Sequence, residues 1–453
     1  MKLLVLCSSL FLSSCLFGQK VSLVNKINAK RYIEKGNQEY YSGRTSSSFM
    51  SFKQATVADP TNFMGFQMLA TAELDLNYYY GALEHITKAY DLAKKKNDPD
   101  LNYIKAQAHH RLNQVDQALV HYKIAFKGFS KGINKDYEMA MKISQCEYAL
   151  SEENKGIQNL RKPLAQDVTS KHDEYGPILC LQGKHLFFTA RKPETMGNNM
   201  NPDDQKFFED IYHAIWNDTT QSYVLETETT KDANSEGFDA LSYVSEDGMS
   251  MYGTLNTSAS RESNTSSSEI VDFSSGDPAI IYSPSILNSK EINTSYFEGS
   301  PTITDTTMDE DENTFQTMIF VSDRNGEKKM TDLYQVVYEN DRWQEVSALP
   351  DYINTTGRET TPFITADGNF LFFSSDALPG FGGYDVYYCK NENGVWSKPQ
   401  NLGAEFNSVN DDTHFQVYSW KQAVVASIAE VDGAFNYQLF QFDLSKKEYP
   451  FLK

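Results

Sequence analysis

Carboxylates recur through the second half of this sequence at a nearly constant interval. Glu174, Glu236, Glu298, Glu359 and Asp412 are separated by 62, 62, 61 and 53 residues. Carboxylates gathered around one channel can serve as the acid and the base or nucleophile of glycan cleavage. That chemistry needs two acids in unequal roles, however, whereas one acid in every repeat points to one structural hydrogen bond per repeat. Other reactive residue types offer less. His109 and His110 are adjacent, and neighbours on a helix point about 100° apart, which is too divergent to share one ion. Asp305 to Asn313 (DTTMDEDEN) is acidic enough to suggest calcium, but it lacks the alternating ligands and turning glycine of an EF-hand loop and reads as solvated. Cys146, Cys180 and Cys389 are an odd number spread over both halves, so they read as buried small hydrophobes and not as a disulfide framework. No Gly-x-Ser-x-Gly elbow is expected, and no His-Glu-x-x-His, phosphate loop or paired-cysteine metal motif is present. The expectation is a protein without catalytic residues, metal or cofactor.

The elements that would position these acids are short β-strands. Glu359 to Tyr388 (ETTPFITADGNFLFFSSDALPGFGGYDVYY) contains an apolar run, an Asp367-Gly368 turn, a second run from Phe370 to Phe373, a glycine-rich crossing and an alternating strand. Asp-Gly between two apolar runs is a hairpin signal, because the tight turn needs positive φ. A fourth strand follows from Val395 to Leu402. Matching units open at Glu174, Glu236, Glu298 and Asp412. Their partner strands include Glu209 to Tyr212, Ala279 to Tyr282, Thr331 to Tyr334, Tyr384 to Tyr387 and Tyr437 to Phe440. Five four-stranded units in series predict a five-bladed β-propeller. Blades three and four end in tryptophan-bearing outer strands, Trp343 to Leu349 and Trp396 to Leu402, but the fifth lacks one. Gly156 to Leu160 (GIQNL), which matches PQNL at 399 to 402, is expected to supply it and close the ring from before the first blade. Thr254 to Ser275, Ser/Thr-rich and poor in apolar residues, is expected to be a loop.

Before the propeller the apolar pattern is helical. Gly36, Ala70 and Ala106 fall at intervals of 34 and 36 residues, as do Ser48, Ala82 and Ala118, then Phe52, Ile86 and Tyr122, then Ala55, Ala89 and Ala125. Small residues let paired helices approach and the larger residue fills the gap. Asp59-Pro60 ends the first pair, and Asp136 to Leu150 is expected to be a capping helix. This pattern resembles the tetratricopeptide repeat (TPR), which places the helical domain at 26–155 and the propeller at 156–453. By that resemblance the first helix of each pair lines a docking groove, presenting Gln67, Thr71, Asp75, Tyr103, Gln107, His110 and Arg111 to a protein partner.

Charge divides the chain at the same place. The whole carries −20, but residues 20–165 hold 21 basic against 15 acidic side chains, and residues 166–453 hold 19 against 46. Such an acidic surface argues against nucleic acid. Met1 to Phe17 has one lysine before an apolar run too short to span a bilayer, and reads as a secretory signal over 1–18. Two processing routes are open: a lipobox at Leu12-Ser13-Ser14-Cys15 that would acylate Cys15, or cleavage after Gly18 that would leave Gln19 first. Either exports the chain, and no other segment approaches spanning length.

The [Glu/Asp]-x-x-Pro openings, Asp-Gly turns, FF[S/T] strands and GGYDVYY ending resemble the PD40, or WD40-like, propeller repeats of bacterial envelope proteins. Signal, TPR and PD40 propeller in that order, with FFEDIYHAIW at 207 to 216, is similar to the PorE-like component of the type IX secretion and gliding machinery of Bacteroidetes. The resemblance implies a non-catalytic scaffold at the periplasmic side of the outer membrane whose partners are proteins of that machine. PorE-like proteins continue into an OmpA-like peptidoglycan-binding domain, whereas this sequence stops at Lys453, so peptidoglycan binding is not carried over. The alternatives are a glycan or peptide receptor at the propeller axis and, beyond it, a hydrolase.

Overall fold

The structure, a computed structural model, describes residues 21–153, 161–201, 204–256, 268–287, 289–308, 314–326 and 330–452. Helices come first: α1 (Leu23–Tyr41), α2 (Thr45–Ala58), α3 (Phe63–Asp75), α4 (Tyr79–Leu92), α5 (Pro99–Arg111), α6 (Val115–Gly128), α7 (Lys131–Asp136) and α8 (Met139–Glu153). They stack as antiparallel pairs, α1 with α2, α3 with α4 and α5 with α6, and each pair packs on the next. The small residues at the repeat positions are why. Ala55, Ala70, Ala82, Ala89, Ala106, Ala118 and Ala125 are fully buried, and Phe52, Ile86 and Tyr122 fill the spaces between helices. At Gly36 a Cβ would lie 2.4 Å from the Phe52 ring, so only glycine allows α1 and α2 to meet there. The cap is split and begins three residues later than expected. Glu138 takes a left-handed φ of 50°, which stops α7 and lets α8 begin at Met139 instead of Asp136.

Five antiparallel sheets follow. Their innermost strands are Glu174–Cys180, Phe238–Val244, Glu298–Ile303, Glu359–Ile364 and Asp412–Tyr418. Each touches the next, and the fifth touches the first, so the ring is closed. Closure comes from before the first blade: Lys162 pairs with Gln441 and Pro163 with Phe440, and the Leu164 N–H donates to Leu439 O at 2.9 Å. The expected closing segment, Gly156 to Leu160, lies outside the described residues. The observed pairing begins two residues beyond it. Between the blades run continuous apolar seams, such as Ile319, Leu333, Ile364, Leu371 and Phe373 between blades three and four. Cys146, Cys180 and Cys389 are buried free thiols, and burial pushes each up to about 12.

Blade two departs from expectation. Its third strand is Glu269–Ser274, not Ala279 to Tyr282, and the fourth is Ile281–Ile286. Thr254 to Ser275 is therefore not one loop: its ends belong to strands, and residues 257–267 lie outside the description. Ile270, Val271 and Phe273 are fully buried, and burying those three side chains outweighs the polar composition around them. Further on, Thr307–Met308 forms a short strand against Thr314–Ser322, and 309–313 are outside the described residues.

Candidate functional site

The recurring acids face the sheet interior. Glu174, Glu298, Glu359 and Asp412 are fully buried, but in blade two the buried acid is Asp239, and Glu236 is exposed. Glu236-Gly237-Phe238-Asp239 holds two acids, and even spacing favoured the wrong one. Each buried acid accepts the backbone N–H of the residue four positions earlier: Ser170 (2.6 Å), Ser235 (2.6 Å), Thr294 (3.0 Å), Thr355 (2.9 Å) and Ser408 (2.5 Å). In four blades that Ser or Thr follows an asparagine. Asn234, Asn293, Asn354 and Asn407 each accept from the N–H and donate to the C=O of one residue in the preceding blade, Ile211, Ile270, Leu333 and Val386. Asn-[Ser/Thr]-x-x-x-[Glu/Asp] is thus the stitch between blades, a signal present in the sequence and overlooked in reading it. The carboxylates have one structural role, repeated.

The domains meet through the turns joining α1 to α2, α3 to α4 and α5 to α6. Ser46 Oγ donates to Asp204 O (2.8 Å), Tyr79 packs on Phe435 with centroids 4.7 Å apart, and Tyr80 donates to Glu430 Oε2 (2.8 Å). The deepest contact is the glycine-rich crossing of blade four. Phe381, 4% exposed, enters the core between α5, α6 and α8, and its C=O accepts from His110 Nε2 at 2.8 Å. A Cβ on Gly382 would fall 2.6 Å from the His110 ring, and one on Gly383 2.4 Å from Asp411 Oδ1. Both glycines have positive φ, so the crossing is glycine-rich because of close approach and backbone conformation together. Burial, reinforced by Arg111, lowers His110 to about 4, so it stays neutral and donates. Arg111 pairs with Asp411 at 3.2 Å, and Asp411 also accepts from the Tyr384 N–H and the Tyr437 hydroxyl, each at 3.2 Å.

This placement corrects part of the expected groove. His110 and Arg111 are engaged by the propeller and are not presented to a partner, because the crossing occupies their end of the helical face. Gln67, Thr71, Tyr103 and Gln107 remain half-buried on α3 and α5, and Asp75 is exposed and accepts from Tyr40 on α1 at 2.6 Å. Tyr103 stacks on Tyr137, 4.7 Å between centroids, so it also belongs to the cap. His109 and His110 diverge as expected: His109 Nδ1 meets Gln114 Oε1 at 2.6 Å. No metal-binding group of three or more His, Cys, Asp or Glu occurs among the described residues. Gly128-Phe129-Ser130-Lys131-Gly132 has the Gly-x-Ser-x-Gly spacing of a nucleophile elbow, which sequence reading also overlooked. Ser130 caps α7 by accepting from Ile133 N, in a helix-to-helix turn without the strand that an elbow requires. Cys15 lies outside the described residues.

Two cavities open at the axis. The one on the far side, about 570 Å³, is lined by Glu246, Asp247, Asp305 and Asp367 with Phe363 and Phe451, and by no lysine or arginine among the described residues. The one on the domain-junction side, about 560 Å³, is ringed by Tyr175, Phe238, Phe297, Tyr384 and Tyr437.

No family model matches the chain, and no curated protein does. Solved structures do match over about a quarter of its length. The first TPR of Spaghetti (RPAP3) bound to an HSP90 peptide is 19% identical, with a TM-score of 0.25, covering 28% of this chain and 95% of that one. The first TPR domain of human RPAP3 is 22% identical at the same score, covering 28% and 96%. MamA is 19% identical with a TM-score of 0.24, covering 28% and 69%. The paired helices and the five closed sheets themselves give this chain a TPR-like helical domain followed by a five-bladed propeller.

Proposed function

We propose that this protein is a non-catalytic scaffold on the periplasmic side of the outer membrane, holding protein partners of a type IX secretion or gliding machine. The observation that carries the reading is the junction: two folds that commonly bind proteins are fastened by Phe381, His110, Arg111 and Asp411 into one unit. The α1–α3–α5 face, with Tyr40, Gln67, Thr71 and Asp75, is the surface offered to one partner, and the outer surface of the propeller to others. Export rests on the signal-like Met1 to Phe17, and the assignment to that machine on the sequence resemblance. Crosslinking a tagged chain in its host, with mass spectrometry of captured proteins and of the N-terminal peptide, tests it. Outer-membrane secretion proteins together with an acylated Cys15 are expected. Recovery of the chain alone, beginning at Gln19, would overturn the scaffold.

A further inference from the structure

The junction-side cavity differs from its surroundings in its charge. Its lining holds two cations and two acids, Arg191, Lys206, Asp173 and Glu209. Lys206 pairs with Asp173 at 2.5 Å, and Arg191 with Asp204 through two bonds of 2.6 and 3.1 Å. Burial holds His414 neutral, at about 4. Glu209 is a third acid beside these two cations, its carboxyl pushed up by burial, so the described lining offers an anion no unpaired cation.

What the cavity does offer are aromatic faces and small polar groups, and the backbone is bent to present some of them. The innermost strands bulge, and Ser300, Thr361 and His414 sit at the bulges of blades three, four and five with φ of 48°, 47° and 55°. The matching residue of blade one is Gly176, φ 60°. A side chain in the left-handed region is strained by its Cβ, a strain that glycine avoids. All three non-glycine residues line the cavity. Thr361 is used internally, accepting from the His414 N–H at 3.1 Å. His414 Nδ1 meets Thr413 Oγ1 at 2.9 Å, so Nε2 is the ring nitrogen open to a ligand.

We propose that this mouth binds a short neutral oligosaccharide, whose C–H faces stack on Tyr175, Tyr384 and Tyr437 and whose hydroxyls meet Ser300 and His414. The volume lies within the ordinary range of ligand sites, about 300–1,000 Å³, and rings with apolar faces and polar edges match such a wall.

The test is calorimetric titration of the whole chain with chitotriose and maltotriose, with trigalacturonic acid as the charged control. Ser300→Gly and His414→Asn keep residues that tolerate positive φ, so both variants should fold with an unchanged melting temperature. Saturable binding of one neutral trisaccharide, at least tenfold weaker for the charged one and at least tenfold weaker in His414→Asn, is expected. Ser300→Gly should lose about threefold. The assignment is overturned if neither neutral sugar binds, if the charged sugar binds equally well, or if both variants bind like the parent. Capture of protein partners is a separate readout and does not bear on this one.

Discussion

Among the described residues, blades one, three and five place a cation beside the buried acid of the innermost strand, and blades two and four do not. Lys192 meets Glu174 at 3.0 Å, Arg324 meets Glu298 at 3.2 Å and Arg161 meets Asp412 at 2.8 Å. Each cation also lies over an aromatic ring of its own blade, Phe188, Phe320 or Phe440, about 5.1 Å from the centroid. Among the described residues Asp239 and Glu359 meet only hydroxyls and N–H groups, and burial raises each to about 7. One fold position thus holds either an ion pair under an aromatic lid or a carboxyl that keeps its proton near neutrality. The backbone bond four residues back is common to all five. It defines the repeat, and the partner of the second oxygen is free to vary.

Breaking an ion pair should give the largest effect. Arg161→Met leaves Asp412 buried without its cation and also removes donors to Phe406 O and Ser427, so a loss of about 3–5 kcal/mol in urea unfolding is expected. Asn354→Ala removes a bond to Leu333 N, one to Leu333 O and one to Leu349 O, and should lose about 2 kcal/mol whatever the cation content of the blade. If it is neutral, the stitch is not the common element.

Glu359→Gln sharpens the comparison through pH. The folded pKa is raised above the unfolded one, about 4.3, so the stabilisation it represents is complete below that value and is lost as pH rises through about 7. Melting temperatures of the parent should fall between pH 5 and 8 by more than those of the variant, a difference on the order of 1 kcal/mol. Glu298→Gln, facing Arg324, should instead destabilise throughout that range. The smallest change is Tyr40→Phe, which removes an exposed bond to Asp75 and should cost under about 1 kcal/mol.

Architecture was legible where it rests on periodic burial. The 34- and 36-residue intervals picked out residues that are buried, and the Asp-Gly turn fell where Gly368 has φ 70°. Three things were not legible, for separate reasons. The Asn-[Ser/Thr] stitch is a short polar pair in loops and has no hydrophobic period. The third strand of blade two was hidden by serines and threonines around three apolar residues. His110 and Arg111 hold helix positions that would face a groove, but their neighbours in space, Phe381 and Asp411, are 271 and 300 residues away in sequence. Closeness of that kind is set by packing, which no local pattern records.

The closing strand also imposes an order of events. Pro163 lies next to Gln441, 278 residues later, so blade five cannot be completed until synthesis has passed Gln441. The helical pairs contact mainly their neighbours in sequence and can form early. Between those moments the chain carries Arg161 and Lys162 with no blade to join, and Asp412–Tyr418 has not yet been made. The ring therefore becomes stable after the helical pairs, and a pause in synthesis before Gln441 would expose an unpaired strand edge of the kind that aggregates.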